Sequence, residues 1–527
     1  MDHSTMDHSK MHHGHHMMGD GMEQEAMTHT MAGIPVWMAV AGIAFIIFAT
    51  HLLLWLRSGK EKPEDYPRFN LFRLPLLGAL VKQRWYPLFL QAIPLFLLFL
   101  IIYAGLFGSQ RQNIATVLTW GYWWALLIFI IVLGGTSFCS ICPWEAASSL
   151  FSSFSLFSRV KKAGLELKVP SWLKNLYPAI VLFVGLTWLE LGFEITRKPD
   201  LTAVLAILMT FLAVSSTLVF EKRAFCRHFC LVGRISGLYA LFSPFELRSV
   251  SNDVCRSCST KDCMKGKAGE TAPCPTGLYP GGLRENTYCT LCTECVRSCP
   301  SDNLALNLRP PAADLYIKRN FRKDESVLAL VLLSLTSFHG LTMTPLWTEL
   351  VNGLRLGAGI PKLASFTILM TVVMLLPFMV YRLAVSASSF FSGSSRPGEL
   401  FQAFAYPLIP VALFYHLAHN GMHFFAEAEV IVPLLSDPLG QGFDLFGTRD
   451  YAPGMLVAHE TIWWIQLAFV LTGHVYGVIV ADRIAGRIFP DRKTAIRGLL
   501  PQMIFMILFS GISIWLIAQP MEMRTGM

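Results

Sequence analysis

Charged side chains are scarce in this chain. Asp, Glu, Lys and Arg make up 15% of its 527 residues, whereas hydrophobic residues make up 53%. An ordinary soluble domain is about a quarter charged. The composition therefore excludes a soluble protein of ordinary type and predicts an all-α polytopic membrane protein.

The haem-attachment motif C-x-x-C-H is also missing, which excludes c-type haem. The net charge is +8, but nothing suggests a nucleic-acid partner, because the basic residues cluster in loops between apolar stretches.

Ten apolar stretches are long enough, at about 20 residues each, to cross a hydrocarbon core of ~30 Å. Residues 33–56 lack the short apolar region and small-residue cleavage site of a removable signal peptide, so we expect them to form the first helix. The predicted spans are 33–56, 87–107, 116–136, 176–196, 201–220, 327–346, 363–383, 402–424, 461–481 and 498–518.

Basic residues predict the orientation, because Lys and Arg are retained on the cytoplasmic side. The loop 57–86 and the later loops on its side are rich in Lys and Arg, whereas the opposite loops hold single residues such as Arg111, Arg355 and Arg449. We therefore expect a multi-pass protein of the bacterial cytoplasmic (inner) membrane with both termini outward.

Eight cysteines form two runs between two of these spans, on the predicted cytoplasmic side. The runs are Cys255-x2-Cys258-x4-Cys263-x10-Cys274-Pro and Cys289-x2-Cys292-x2-Cys295-x3-Cys299-Pro. The second run has the spacing of bacterial ferredoxins, in which the fourth cysteine of a run binds the other run's cluster. The spacing predicts two 4Fe-4S clusters, one on Cys255, Cys258, Cys263 and Cys299, the other on Cys289, Cys292, Cys295 and Cys274. A zinc ribbon or a disulfide scaffold fits less well, because zinc sites usually have two separated C-x2-C knuckles.

Four more cysteines lie at the inner ends of the third and fifth predicted spans: Cys139, Cys142, Cys226 and Cys230. Each pair is followed by an amphipathic aromatic segment, so two helix-hairpin units repeat one plan. These thiols could hold a third iron–sulfur cluster, bind copper, or cycle between dithiol and disulfide. They could also be buried and inert.

The order of a cysteine pair, a helix hairpin, a second pair and a double ferredoxin motif resembles the membrane polyferredoxins of the NapH, NosR and CcoG group. The resemblance covers roughly residues 87–308. It differs in the first pair, which is one residue shorter than the family spacing, and in the second, where Leu231 replaces a proline. The resemblance implies electron transfer between a quinol or cytoplasmic donor and an extracytoplasmic redox protein.

The first 31 residues interleave methionine and histidine and contain no cysteine. Thioether and imidazole groups favour copper in an oxidising compartment. We expect an outward copper-binding tail that uses Met1, His3, Met6, His8, Met11, His12, His13, His15 and His16. The alternative is an expression tag or an unspecific polar tail.

Several histidines lie within the C-terminal spans, where ionisable residues are usually functional. Three of them share one face of the eighth predicted span: His416, His419 and His423. Haem b could be bound by His423 or His419 with His459, or by His416 with His339 or His474. Copper binding, a quinol site and structural hydrogen bonds are the alternatives.

These patterns divide the chain into four parts: a Met/His-rich tail (1–32), an N-terminal membrane domain (33–250), a cytoplasmic ferredoxin-like insert (251–308) and a C-terminal helix bundle with histidines (309–527). The predicted function is membrane electron transfer linked to copper. A Cu(II) reductase and a copper transporter with redox-sensing clusters are the rivals, although the helices show no continuous path of Met and Cys.

Overall fold

The computed structural model describes residues 30–56, 66–83, 85–153, 164–220, 224–267, 271–318 and 320–522. Within these ranges the protein is mostly α-helical, with five short strands.

Ten α-helices precede the eight-cysteine insert. They are α1 (Val36–Leu56), α2 (Pro75–Lys82), α3 (Trp85–Phe107), α4 (Ile114–Thr116), α5 (Ala125–Gly134), α6 (Phe138–Ile141), α7 (Pro143–Ser153), α8 (Tyr177–Gly192), α9 (Pro199–Val219) and α10 (Leu231–Tyr239). A π-helical segment, Val117–Trp124, joins α4 to α5 without a break, and another, Phe225–Phe229, precedes α10.

Three short helices lie in the insert and nine follow it. They are α11 (Asn252–Ser257), α12 (Asp262–Lys265), α13 (Glu294–Ser298), α14 (Ala313–Ile317), α15 (Lys323–Thr342), α16 (Pro345–Asn352), α17 (Lys362–Ser392), α18 (Pro397–Ala405), α19 (Leu408–Glu427), α20 (Ile431–Ser436), α21 (His459–Ile488) and α22 (Arg492–Ile517).

Nine helices in the described residues are long and apolar enough to cross a membrane. They correspond to nine of the ten predicted spans. At the tenth, 176–196, the apolar helix α8 has 16 residues, about 24 Å at 1.5 Å per residue, and is shorter than predicted. It ends at Gly192 because Glu194 adopts a left-handed φ of 57° and the chain turns into a 3-10 segment, Ile195–Arg197.

The centre of the bundle is α19, which is buried along most of its length. It packs closely against α21 because Gly473 and Gly477 let the two backbones approach: a Cβ at Gly477 would lie 2.9 Å from the Pro407 carbonyl oxygen. Small residues four apart are a common contact between membrane helices.

A three-stranded antiparallel sheet holds the insert, in the order β2 (Phe69–Asn70), β4 (Leu304–Leu308) and β3 (Phe245–Ser249). In its register Leu247 lies opposite Leu306. Because β3 precedes the cysteine runs and β4 follows them, the sheet fixes both ends of the insert. The strand β2 comes from the loop after α1, and Arg68 beside it forms an ion pair of 2.9 Å with buried Glu246.

The loops lie at two opposite ends of the bundle. At one end β1 (Thr30–Met31) pairs with β5 (Met521–Glu522), and the Ser109 N–H donates to the Leu439 carbonyl. At the other end lie the insert and its sheet, with an ion pair between Lys82 and Asp302. Both described chain ends are therefore opposite the insert.

Candidate metal centres

Two sets of four thiols lie in the insert. The first cysteine group consists of Cys255, Cys258, Cys263 and Cys299. Burial, together with the charges of its three partners, raises the pKa of Cys263 to about 11. Asn303 binds two members of this group: its backbone N–H donates to the Cys299 sulfur at 3.4 Å, and its side-chain amide donates to the Cys255 sulfur at 3.2 Å.

The second cysteine group consists of Cys274, Cys289, Cys292 and Cys295. Burial raises the pKa of Cys295 well above its usual range, and the charges of the other three thiols add to the shift. Thiols that influence one another in this way lie close together. The thiols of the insert therefore lie near one another, with contacts within each set and also between Cys263 and the second set; the division into two sets of four stays a prediction from the spacing.

The two Cys-Pro turns have the same geometry. In Cys274–Leu278 and in Cys299–Asn303 the third residue after the cysteine is left-handed, with φ of 68° at Gly277 and 47° at Asp302. The next backbone N–H then donates to the cysteine sulfur, at 3.3 Å and 3.4 Å respectively. The two cysteine runs therefore share the geometry of their Cys-Pro turns although their spacings differ.

The two runs also share a turn before the helices of the insert. Lys261 (φ 52°) and Thr293 (φ 60°) each precede a short helix, α12 and α13, and each lies two residues before a cysteine, Cys263 and Cys295. A left-handed residue at each point reverses the chain and turns the next thiol toward its group.

The four membrane-edge thiols also converge, and we call Cys139, Cys142, Cys226 and Cys230 the edge cysteine group. Burial raises the pKa of Cys142 well above its usual range, and the other three thiols raise it further. Two members lie at helix starts. Cys230 caps α10 and accepts a hydrogen bond of 3.3 Å from the Gly233 N–H, and Cys142 immediately precedes α7 and accepts one from the Glu145 N–H.

The edge cysteine group lies next to the second cysteine group. Cys139 and Cys292 interact electrostatically. The Thr136 hydroxyl, three residues before Cys139, donates to the Cys289 carbonyl oxygen. The helix α10 packs just as tightly, because a Cβ at Gly237 would overlap the Thr287 carbonyl oxygen. The three groups thus form a continuous series from the tip of the insert to the membrane helices.

Burial makes many of these thiols weak acids. It raises the pKa of Cys289 to about 11 and the pKa values of Cys292 and Cys139 to about 12. Without a cation they are neutral thiols at pH 7. A metal centre replaces the protons and stabilises the thiolates.

No group of three or more His, Cys, Asp or Glu side chains in the described ranges is arranged to hold a single metal ion. The ligands of an iron–sulfur cluster bind separate iron atoms and therefore lie farther apart than the ligands of one ion. No disulfide joins any of the twelve cysteines. The described thiols are thus free, and several of them accept backbone N–H hydrogen bonds.

The helix histidines separate into different environments. The His416 Nδ1 lies 3.1 Å from the Tyr239 hydroxyl. Both ring nitrogens of His474 are within hydrogen-bond distance of hydroxyl groups, those of Thr50 and Ser510, at 2.8 and 2.9 Å. This leaves no ring nitrogen of His474 for a metal.

Three histidines and two carboxylates, those of Glu190 and Glu194, line one cavity of about 240 Å³ at the end of the bundle opposite the insert. We call this the histidine pocket, formed by Glu190, His339, His419 and His423. The rings of His339 and His419 are 6.2 Å apart, and those of His419 and His423 are 5.0 Å apart.

Three atoms of the histidine pocket are buried without a hydrogen-bond partner: Glu190 Oε1, His339 Nε2 and His423 Nε2. The other ring nitrogens lie 3.1 Å from the Leu335 carbonyl (His339) and 3.3 Å from the Glu427 carboxylate (His423). These contacts suit an N–H at Nδ1 and leave Nε2 as an acceptor.

Sequence reasoning missed Glu190 as a site residue. The sequence did contain a signal for this residue. Within the predicted span 176–196, Glu190 is the one acidic residue before Gly192. His459, at the start of α21, has a buried Nδ1 without a partner and does not line the histidine pocket. The predicted tail ligands, residues 1 to 16, lie outside the described residues.

Comparisons with known proteins give one relative. The "Putative electron transport protein YccM" of Escherichia coli (strain K12) is 26% identical to this chain over 236 residues, which are 40% of this chain and 61% of the relative. The match thus spans about three fifths of the relative's length. No protein-family model matches the chain, and no solved structure matches it.

Proposed function

We propose that this chain is a membrane electron-transport protein whose insert carries two 4Fe-4S clusters. The observation that carries the proposal is the pair of four-thiol groups built from a repeated Cys-Pro turn, next to the membrane helices. The name of the E. coli relative, which describes an electron transport protein, supports the same general role in electron transport.

The first cysteine group would hold one cluster and the second cysteine group the other. A 4Fe-4S cluster supplies one-electron transfer, and with four cysteine ligands it offers no open position to a substrate. The insert therefore acts as a relay. Its sulfurs accept N–H hydrogen bonds from Leu278 and Asn303, which favour the reduced and more negative state.

The end with the insert faces the cytoplasm in this proposal. Basic residues such as Arg73, Lys82 and Arg492 lie at that end, whereas the opposite loops hold single cations such as Arg111 and Arg449. Lys and Arg are retained on the cytoplasmic side of a membrane. Both described chain ends then face outward, in the bacterial inner membrane.

The histidine pocket is our candidate quinol site. The Nε2 atoms of His339 and His423, which have no hydrogen-bond partner, can accept the two hydroxyl hydrogens of a quinol, and the Glu190 carboxylate, 3.7 Å from His339 Nε2, is a nearby acceptor for a proton. Trp347 and Phe366 line the same cavity and provide apolar surface for a ring. These contacts favour quinol over haem b or copper at this position.

A Cu(II) reductase is the second candidate, favoured by one observation. The strand pair β1–β5 places residue 30 at the same end as the histidine pocket, so the Met/His-rich tail extends from that end. Deleting residues 1–29 leaves the strand intact. We expect it to abolish copper reduction and to preserve electron flow from quinol. Equal loss of both activities would contradict a separate role for the tail.

The central test uses the full chain purified anaerobically in detergent. Iron and acid-labile sulfide are counted, and EPR spectra are compared before and after dithionite reduction. We expect at least two reducible 4Fe-4S signals. Cys263→Ser should remove the signal of the first cysteine group, and Ser257→Ala, in the same loop, should change neither signal. A preparation with zinc and no iron would overturn the proposal.

A further inference from the structure

A buried cation lies beside the edge cysteine group. Arg234 is in α10, one turn after Cys230, and is only 2% exposed. Its Nε and Nη1 atoms are buried and have no hydrogen-bond partner. No carboxylate among the described residues forms an ion pair with it.

The surroundings of Arg234 are thiols and an aromatic ring. Its guanidinium carbon lies 5.2 Å from the centre of the Tyr288 ring, in the insert. Its charge acts on the thiols of Cys139 and Cys230. The guanidinium therefore lies between the edge cysteine group and the segment that leads to Cys289.

Two buried guanidinium nitrogens without a hydrogen-bond partner are costly, because their N–H groups lose water and the contact with the Tyr288 ring does not replace those hydrogen bonds. The cost disappears when an anion occupies the adjacent space. Neutral thiols do not provide this charge, whereas a metal centre bound by four thiolates does.

Two helix starts favour negative charge at the same place. The N–H groups of Gly233, in α10, and Glu145, in α7, donate to the sulfurs of Cys230 and Cys142. The positive ends of both helix dipoles thus face the thiols. The cation shares α10 with one of these helix starts, and α7 is a second element, so two separate helices favour an anionic occupant at this place.

We propose that the edge cysteine group holds a third iron–sulfur cluster and that Arg234 neutralises part of its charge. The cluster class follows from the chemistry of the ligand set, four neighbouring thiols of which two accept backbone N–H hydrogen bonds. The proposal rests on the proposed function, because a third centre beside Cys292 extends the relay toward the membrane helices. Arg234 is a positioning residue that raises the midpoint potential of this centre.

The test begins with metal content of the full chain, purified anaerobically in detergent. Three 4Fe-4S clusters contain about twelve irons and two contain about eight. We expect about twelve in the wild type and a loss of about four in Cys142→Ser, with the EPR signals of the insert retained. Ser140→Ala, between two of the ligands, should keep the full iron content.

Each other outcome decides a different point. Eight irons in the wild type, and the same number in Cys142→Ser, would overturn the third centre and leave the proposed function intact. Copper or zinc that is lost in Cys142→Ser would overturn the iron–sulfur class. Absence of iron throughout would overturn the proposed function itself. The wild-type count decides the question even if Cys142→Ser does not fold.

The role of Arg234 is tested by redox titration followed by EPR. In Arg234→Gln the iron content should be retained and the midpoint potential of one centre should fall, because the reduced and more negative state loses a compensating charge. Arg234→Lys should recover part of the shift. An unchanged potential, or an equal shift of all three centres, would overturn this role.

Discussion

The Tyr239 hydroxyl lies 3.1 Å from His416 Nδ1, where both side chains are buried. Tyr239 is the last residue of α10, the helix that Cys230 caps, and His416 is in α19, three residues before His419. One short helix therefore connects the edge cysteine group to the helix that supplies two histidines of the histidine pocket.

Asn303 provides a test of how the protein adjusts one cysteine group alone. Asn303→Ala removes the side-chain donors to the Cys255 sulfur and the Ser251 carbonyl. We expect the midpoint potential of the first cysteine group to fall and stability to drop by about 1 kcal/mol. Redox titration by EPR measures the shift. Asn252→Ala is the matched control, and an equal change in the second cysteine group would contradict the assignment.

Glu190 tests the quinol site. Glu190→Gln keeps the shape of the side chain and removes its ability to accept a proton, so the rate of quinol oxidation should fall by about 100-fold. The rate is followed by stopped-flow absorbance of a quinol analogue, with iron content as a check of integrity. Glu399→Gln, which changes only an exposed ion pair with Arg396 away from the histidine pocket, should have little effect. Similar losses in both variants would argue against the assignment.

Asp314 fixes the insert to the bundle. It is buried, binds Arg309 and Arg248, and accepts a hydrogen bond of 2.8 Å from the Asn286 N–H. Asp314→Asn removes one carboxylate partner from each of two buried cations, Arg309 and Arg248. It should lower the free energy of unfolding by about 3–5 kcal/mol. Asp253→Asn, which breaks an exposed pair with Arg256, should cost at most about 0.5 kcal/mol. Thermal unfolding in detergent compares the two.

Asp314 also predicts a pH dependence. Burial opposes ionisation, but Arg309 and Arg248 outweigh it and hold the pKa of Asp314 below its usual range. A lowered pKa contributes stability above the unfolded value, near pH 4, and this contribution is lost as the pH falls through the folded value. The wild type should therefore lose stability below about pH 4, and Asp314→Asn should lose less over the same range.

Gly477 tests the contact between α19 and α21. A Cβ at this position would lie 2.5 Å from Met506 Cε and 2.9 Å from the Pro407 carbonyl oxygen. Gly477→Val should therefore destabilise the bundle by about 1–3 kcal/mol. Gly486, in the same helix, has open space around it, so Gly486→Ala should be neutral within about 0.5 kcal/mol. Thermal unfolding in detergent provides the comparison.

Local patterns made much of the fold predictable. Nine spans follow from runs of apolar residues, because only helices satisfy the backbone inside lipid. The short length of α8 has a local cause, since hydropathy does not register the left-handed turn at Glu194 that ends the helix. The pairing of Cys299 with the first run stays a prediction from ferredoxin spacing.

The sequence by itself determined the membrane class, the two cysteine runs and the repeated cysteine pairs, since each is written within a short stretch of chain. Only the tertiary structure decided which distant residues meet. Glu190 meets His339 and His423, and the three residues come from three different helices. The ring nitrogens of His474 contact Thr50 and Ser510, and Arg234 has two buried nitrogens without a hydrogen-bond partner near Cys139 and Cys230. These relationships depend on how the helices are rotated and on how closely they approach at residues such as Gly473 and Gly477. Side-chain packing determines both, and no local sequence pattern encodes them.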